Sequence, residues 1–233
     1  MRESYNQAMN KKTATVKFDN VLPSHMQLDI WEVYARLVLR YIDMPTYGRL
    51  SHGDKPDLRD GGLDLGVEVT QALPSCNQEA DALFAKLRHG SNELNRTRII
   101  ERIEQLGGTV SDYGLFGPNG KNDFDRVIDA FKEKLAKLNG GGYETFGHNH
   151  LFIRSDIHAD NMMLDEGLTS FVALNTQPSF FERVIVSVPG HNYDFNLNNQ
   201  TFRDLTFESD DQFEIAEKAR SIVIEAEIAY AAK

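Results

Sequence analysis

Asp57 and Glu68 are the two side chains whose type and spacing best suit chemistry. Ten residues separate them, and the Gly61-Gly62 pair in between favours a tight turn. The segment after the turn, GVEVT, is rich in β-branched residues, which favours a strand. We therefore expect a hairpin that carries Asp57 on one strand and Glu68 on its neighbour.

The alternation of side chains along a strand determines what stands beside Glu68. Glu68 and Thr70 are two residues apart, so they point to one face of the strand. Val67 and Val69 then point to the opposite face, into the core. Two crowded carboxylates repel each other unless a cation lies between them, and hard oxygen ligands suit Mg²⁺ or Mn²⁺. We expect Asp57, Glu68 and the backbone carbonyl of Val69 to hold such an ion.

The segment Pro56-Asp57 … Glu68-Val69-Thr70 resembles the motif of the PD-(D/E)xK (restriction-endonuclease-like) nuclease superfamily. The resemblance implies an α/β fold in which a mixed central sheet is flanked by helices, here with helical elaborations. The acidic residues would lie on a β-hairpin after a first helix, and Asp57 and Glu68 would bind metal. The third motif position is usually a lysine that orients or polarises the attacking water. Here it is Thr70, as in Lys-less ExT variants, and we expect Thr70 to give a hydrogen bond to that water or to Glu68.

The missing lysine has a candidate replacement on a neighbouring helix, because members of this superfamily relocate it. The helix predicted over 124–138 carries Phe131 at the centre of its buried face. At 100° per residue, Lys134 lies about 60° from that centre and Lys137 about 120°. We expect Lys134, and next Lys137, to fill the role; the plainer alternative is that both are solvated surface lysines.

The hydrophobic spacing predicts one α/β domain over residues 1–233. Apolar intervals of three and four residues favour helices, and β-branched runs favour strands. The predicted elements, in order, are a lead-in over 1–26, a helix over 28–42, hairpin strands over 56–59 and 65–73, a helical tract over 78–106 that Gly90 can divide, a loop over 109–122, a helix over 124–138, a strand over 150–154, a helix over 164–174, a strand over 183–188, further strands between 193 and 207, and a C-terminal helix over 211–231.

Composition limits the compartment and the partners. The 233 residues carry 25 Lys and Arg against 35 Asp and Glu, a net charge of −10. Nucleic-acid binding relies on cations that neutralise phosphates, so this balance counts mildly against a nuclease. No apolar run approaches the ~18 residues of a membrane span. The N-terminus has no apolar signal core, and the single cysteine, Cys76, fits a reducing compartment. We expect a cytoplasmic protein that does not enter a membrane.

Three functions remain open at this point. The first is a metal-dependent phosphodiesterase that acts on nucleic acid, either DNA or RNA. The second is a catalytically inactive binding or scaffold protein on the nuclease fold, which Thr70 and the net charge of −10 favour. The third is a metal-dependent hydrolase of a small phosphorylated substrate. The retained pair of Asp57 and Glu68 favours the two enzymes.

Other polar and apolar residues receive plainer interpretations. Glu32 is expected on the surface of the first helix. His148 and His150 are interpreted as loop histidines before a strand, because no set of four zinc ligands accompanies them. The C-terminal helix carries apolar side chains that would serve either a homodimer interface or the core: Phe213, Ile222, Val223 and Ile228.

Overall fold

The computed structural model describes residues 28–88, 93–111, 114–116, 124–141, 144–208 and 210–232. The predicted lead-in over 1–26 lies outside these residues. Contacts divide the chain into two compact units. The smaller unit holds the described residues from 76 to 116, and the larger unit holds the rest.

Seven helices and nine strands are formed by the described residues. In chain order they are α1 (Ile30–Ile42), α2 (Met44–Tyr47), β1 (Ser51–His52), β2 (Leu58–Asp60), β3 (Leu65–Ala72), α3 (Ser75–Arg88), α4 (Glu93–Gln105), β4 (Thr109–Ser111), β5 (Gly114–Phe116), α5 (Asp125–Asn139), β6 (His148–Ser155), α6 (Asn161–Leu174), β7 (Arg183–Val188), β8 (His191–Asn196), β9 (Thr201–Thr206) and α7 (Asp211–Ala231).

The larger unit is built on a seven-stranded mixed sheet with the order β1-β2-β3-β6-β7-β8-β9. The central strands β3, β6 and β7 are parallel. The other neighbours pair antiparallel, as β1–β2, β2–β3, β7–β8 and β8–β9. The fold is therefore mixed α/β with a mixed central sheet, as the sequence predicted.

Helices cover both faces of this sheet, because successive residues of each strand point to opposite sides. On one face α1 and α7 pack over β3, β6 and β7, with a core that includes Val38, Val67, Phe152, Ile185 and Val223. On the other face α5 and α6 pack over β6, β7 and β8, with a core that includes Phe131, Phe171, Leu151, Val186 and Phe195. Two apolar cores, one for each face, hold the sheet.

The first helix shows how local sequence sets the frame. The Asp29 carboxylate caps α1 by accepting from the backbone N–H groups of Trp31, at 2.6 Å, and Glu32, at 3.3 Å. Such a cap satisfies two of the four free N–H groups at the helix start. The helix ends at Ile42, where Asp43 begins the short α2.

The smaller unit contains α3, α4 and the antiparallel pair β4–β5. Arg102 on α4 donates from Nε to Glu79 on α3 at 2.9 Å. The predicted tract over 78–106 is two helices, since α3 ends at Arg88 and α4 begins at Glu93. The prediction of a loop over 109–122 is wrong in part, because the strands β4 and β5 lie within this range. Three-residue strands are too short to show the alternation that identifies a strand.

The C-terminal helix spans the predicted 211–231. Val223 belongs to the core, whereas Phe213 and Ile228 are exposed. Among the helices described, none is sufficiently long and apolar to cross a membrane.

Candidate functional site

The β2–β3 hairpin brings Asp57 against β3. Leu58 lies opposite Val67 in the antiparallel register, so Asp57 comes just beyond the last paired position. The Asp57 side chain continues the ladder in place of the backbone, because its Oδ2 accepts from the Val69 N–H at 2.7 Å. The Asp57 carbonyl also accepts from the Gly53 N–H at 2.9 Å, which fixes the residue on its other side.

Gly66 lets the chain before Asp57 approach β3 closely. A Cβ atom at Gly66 would lie 2.9 Å from both Pro56 Cγ and Phe146 Cδ2. Side chains do not tolerate such contacts, so this position requires glycine for the close approach. The packing of Pro56 over Gly66 in turn holds Asp57 beside Val69.

Glu68 is buried on the opposite face of β3 from Val67, and its side chain is only 4% exposed. Lys134 reaches it from α5, and its Nζ donates to Glu68 Oε2 at 2.7 Å. On α5 the neighbouring positions Phe131 and Leu135 are buried in the core. Lys134 therefore lies at the edge of the buried face of α5. Its aliphatic stem is mostly buried, and only 13% of the side chain is exposed.

The same ammonium approaches the second carboxylate. Lys134 Nζ lies 3.9 Å from Asp57 Oδ2. We call Asp57, Glu68 and Lys134 the carboxylate cluster. Its three members come from the turn before β2, from β3 and from α5, so only the fold brings them together.

The Asp57 carboxyl has an unusual proton affinity. Burial, and next the charge of Glu68, raise its pKa to about 6 from 3.8. The Val69 N–H and Lys134 oppose the rise, and Glu32 adds slightly to it. Burial is thus the main cause of the raised pKa of Asp57, and the excess of two carboxylates over one ammonium adds to it.

The carboxylate cluster fits a hard divalent cation in two respects. Glu68 Oε1 is buried and has no hydrogen-bond partner among the described residues, an arrangement that costs free energy unless a ligand relieves it. The carboxylates also repel one another, which a bound cation would reverse. Within the described part of the chain no group of three or more His, Cys, Asp or Glu side chains is placed to hold a metal. A cation here would use Asp57, Glu68 and a backbone oxygen such as that of Val69.

The other predicted residues lie differently. Val69 is half-buried against the α1 side, and its N–H is taken by Asp57. Thr70 is half-buried, and its hydroxyl bonds to no described residue, Glu68 included. Lys137 lies apart from the carboxylate cluster, because its Nζ donates to Glu133 at 2.6 Å on the exposed side of α5.

Two residues near Asp57 were not predicted from the sequence to belong to the site. Glu32, expected on the surface, is half-buried, and its charge acts on Asp57. His52 lies opposite Leu58 in β1, with Nδ1 3.7 Å from Glu32 Oε2. Both ring nitrogens of His52 are buried without a hydrogen-bond partner in the described structure. The sequence signal for His52 was weak, because β1 is two residues long.

None of the protein-family models, curated proteins or solved structures compared with the chain matches it. A functional assignment therefore depends on the geometry of the carboxylate cluster and of the fold around it.

Proposed function

We propose that the chain is a metal-dependent phosphodiesterase that cleaves nucleic acid, on a PD-(D/E)xK nuclease fold of the Lys-less type. The observation that carries the proposal is the position of Lys134 Nζ, 2.7 Å from Glu68 and 3.9 Å from Asp57. A lysine from another element takes the place that Thr70 leaves open in the motif.

The order of elements also supports the proposal. A first helix, α1, precedes the β2–β3 hairpin, and β3 then pairs parallel with β6 after the helix α5. The motif resemblance implies a mixed sheet and an acidic pair on a hairpin after a first helix, and these features support the proposal. The strands β8 and β9 and the smaller unit are additions to these features.

Each side chain has a role that its environment favours. Asp57 and Glu68 would hold Mg²⁺ or Mn²⁺, which supplies an activated water and charge stabilisation at a phosphoryl oxygen. An ammonium has three donors, and Lys134 directs one to Glu68. The other two remain for the attacking water or a phosphate oxygen. Above pH 6 Asp57 is mostly ionised, so metal binding is favoured at neutral and alkaline pH.

The charge of the chain restricts how nucleic acid is bound. With a net charge of −10, few phosphates can be neutralised away from the site. We therefore expect weak non-specific binding with a shallow dependence on salt, because the slope follows the number of phosphates neutralised.

A non-catalytic binding protein is the second candidate, and one observation favours it. Glu68 and Lys134 are only 4% and 13% exposed, so they can serve as a closed structural ion pair. A hydrolase of a small phosphorylated substrate would also tolerate this limited access.

A cleavage assay separates the three. Single- and double-stranded DNA and RNA are incubated with the protein in Mg²⁺ and in Mn²⁺, beside the small diester bis(p-nitrophenyl) phosphate. The nuclease proposal expects cleavage of a nucleic acid that EDTA abolishes and that Glu68→Gln and Lys134→Met abolish.

Matched controls come from the same helix. Glu133→Gln and Lys137→Met alter an exposed pair and should leave cleavage unchanged. Turnover of the small diester alone would support a hydrolase of a small phosphorylated substrate. No turnover of any substrate, with no heat of Mg²⁺ or Mn²⁺ binding by calorimetry, would leave the non-catalytic protein.

A further inference from the structure

A cavity of about 310 Å³ opens on the larger unit, at the end of the sheet where β6 and β7 begin. It lies on the α1 side of the sheet, away from the Glu68 side chain. Its lining combines imidazoles, amides, one carboxylate, one guanidinium and apolar side chains. The cavity is lined by Leu63, Leu65, His148, His150, Glu182 and Arg183, together with Asn196 and Asn198.

Strand register accounts for this grouping. His148 lies opposite Leu65, and His150 lies opposite Arg183, which in turn lies opposite Asn196. Residues directly opposite in a sheet share a face, so a polar row crosses β6, β7 and β8. The two histidines belong to β6 itself, since the strand begins at His148 rather than at the predicted His150.

His150 presents an unpartnered nitrogen to the cavity. The side chain is 9% exposed, and its Nδ1 lies 2.9 Å from the Tyr47 hydroxyl. Tyr47 is fully buried and has no other acceptor in the described structure, so its proton must go to Nδ1. The imidazole proton is then on Nε2, which has no hydrogen-bond partner among the described residues.

The His150 ring stays neutral. Burial, together with the charges of Arg183 and His148, lowers its pKa to about 3 from 6.5. Nε2 is therefore an uncharged donor at the cavity wall. We call Tyr47, His148, His150 and Glu182 the histidine cluster.

Glu182 supplies an acceptor next to this donor. Its Oε2 accepts from His148 Nδ1 at 2.8 Å and lies 4.0 Å from His150 Nε2. A separation of 4.0 Å is too long for a hydrogen bond. This separation suits a ligand with an acceptor and a donor on neighbouring atoms, so that the acceptor bonds to His150 Nε2 and the donor bonds to Glu182 Oε2.

The charge of Arg183 is already compensated. Its Nε and Nη2 each donate to Asp194 at 2.7 Å, and its Nη1 donates to Asp43 at 2.9 Å. A phosphate would gain little from this guanidinium and would be repelled by Glu182. An anionic ligand is therefore disfavoured, whereas an uncharged ligand that donates to Glu182 fits.

We propose that this cavity binds a nucleobase, as the free base or a nucleoside, with one edge between His150 and Glu182. Nucleobases present an acceptor and a donor on adjacent atoms of one edge. Leu63 and Leu65 provide apolar contact area for a ring, and the His148 imidazole, which is 57% exposed, provides a flat surface for stacking. This binding site is separate from the carboxylate cluster and does not depend on the cleavage proposed above.

Calorimetry with adenosine, guanosine, cytidine and uridine, without a divalent metal, tests the proposal. We expect saturable one-to-one binding of at least one nucleoside and none of ribose. Glu182→Gln should weaken that binding at least about tenfold, because it removes a charge-assisted acceptor. Glu166→Gln, on the exposed side of α6, is the matched control and should bind as the wild type does.

Asn198→Ala is a second test variant, for use if Glu182→Gln unfolds at a much lower temperature than the wild type. Asn198 is exposed in the turn after β8, so its truncation should leave the protein folded and should weaken binding about threefold or more. Failure of all four nucleosides to bind overturns the proposal, as does equal binding of ribose or unchanged affinity in the folded cavity variants. Those outcomes would indicate a cavity filled by water.

Discussion

The carboxylate cluster and the histidine cluster lie on opposite faces of one sheet, and burial acts on them in opposite ways. In the carboxylate cluster burial raises the pKa of Asp57 to about 6. In the histidine cluster it lowers the pKa of His150 to about 3. In both places the charged form is disfavoured. The two clusters differ in what remains unsatisfied.

The carboxylate cluster retains charge, with two carboxylates against the single ammonium of Lys134 and a buried Glu68 oxygen without a partner. The histidine cluster retains an uncharged donor, and the nearby charge of Arg183 is balanced by Asp43 and Asp194. The first therefore fits a cation and the second a neutral ligand.

Removing the ammonium should have the largest effect. Lys134→Met leaves Glu68 buried without a counter-charge, and breaking one side of a buried pair costs about 3–5 kcal/mol. We expect the free energy of unfolding, measured in urea at pH 7.5, to fall by that amount. The matched Lys137→Met, which removes an exposed partner of Glu133, should change it by at most about 0.5 kcal/mol.

A double variant shows whether the cost arises from the pair. Lys134→Met combined with Glu68→Gln removes both charges, so it should be more stable than Lys134→Met alone. Equal losses for Lys134→Met and Lys137→Met would mean that Lys134 does not bind Glu68 in solution.

Acid should destabilise the protein through His150. Its folded pKa is about 3 and its ordinary value is 6.5, so between these values the unfolded state binds more protons. Stability then falls as the pH falls below 6.5, by up to roughly 3 kcal/mol at pH 4. His150→Gln should have a shallower dependence of unfolding free energy on pH over this window. The exposed His158→Gln should retain the wild-type slope, and a wild-type slope in His150→Gln would disprove a neutral, buried imidazole.

Asp57 should change the stability of the protein with pH in the opposite direction to His150. Its folded pKa of about 6 lies above the 3.8 of the unfolded chain, so the folded state binds the proton more tightly. The ionised carboxylate lowers stability above pH 6, and the penalty disappears as the pH falls towards 4. Asp57→Asn, which keeps an acceptor for the Val69 N–H, should raise the free energy of unfolding by about 3 kcal/mol at pH 8 and by little at pH 4.

Thermal melts at both pH values provide the measurement, with Asp165→Asn on the exposed side of α6 as the control. A stabilisation by Asp57→Asn that is equal at pH 4 and pH 8 would contradict the raised pKa.

The sequence could predict the Asp57–Glu68 hairpin because its signals are local, whereas Lys134 was expected beside it only through the family resemblance. Two glycines, a β-branched run and the spacing of Asp57 from Glu68 predicted the hairpin, and helical periodicity put Lys134 at a boundary. It assigned Glu32 to the surface, because a helical pattern does not show which neighbouring segment covers the helix. It placed β4 and β5 in a loop because such short strands carry no periodicity.

The histidine cluster could not be predicted in the same way. His148 and His150 are two residues apart, which places them on one face only if the strand begins at His148. Tyr47 reaches them from the helix α2, and Glu182 comes just before β7, which pairs in parallel with β6. Pairings of such long sequence separation leave no local pattern, so the site emerged only from the fold.

Thr70→Val should have the smallest effect and tests the one motif position that departs from the superfamily pattern. The Thr70 hydroxyl bonds to no described residue, and valine matches its shape, so the free energy of unfolding should change by at most about 0.5 kcal/mol. If Lys134 alone performs the role of the motif lysine, the rate of cleavage by Thr70→Val should equal that of the wild type. A large loss of cleavage in a variant of unchanged stability would assign the positioning of water to Thr70, and the contrast with the Lys134→Met variant would then measure how the two share that role.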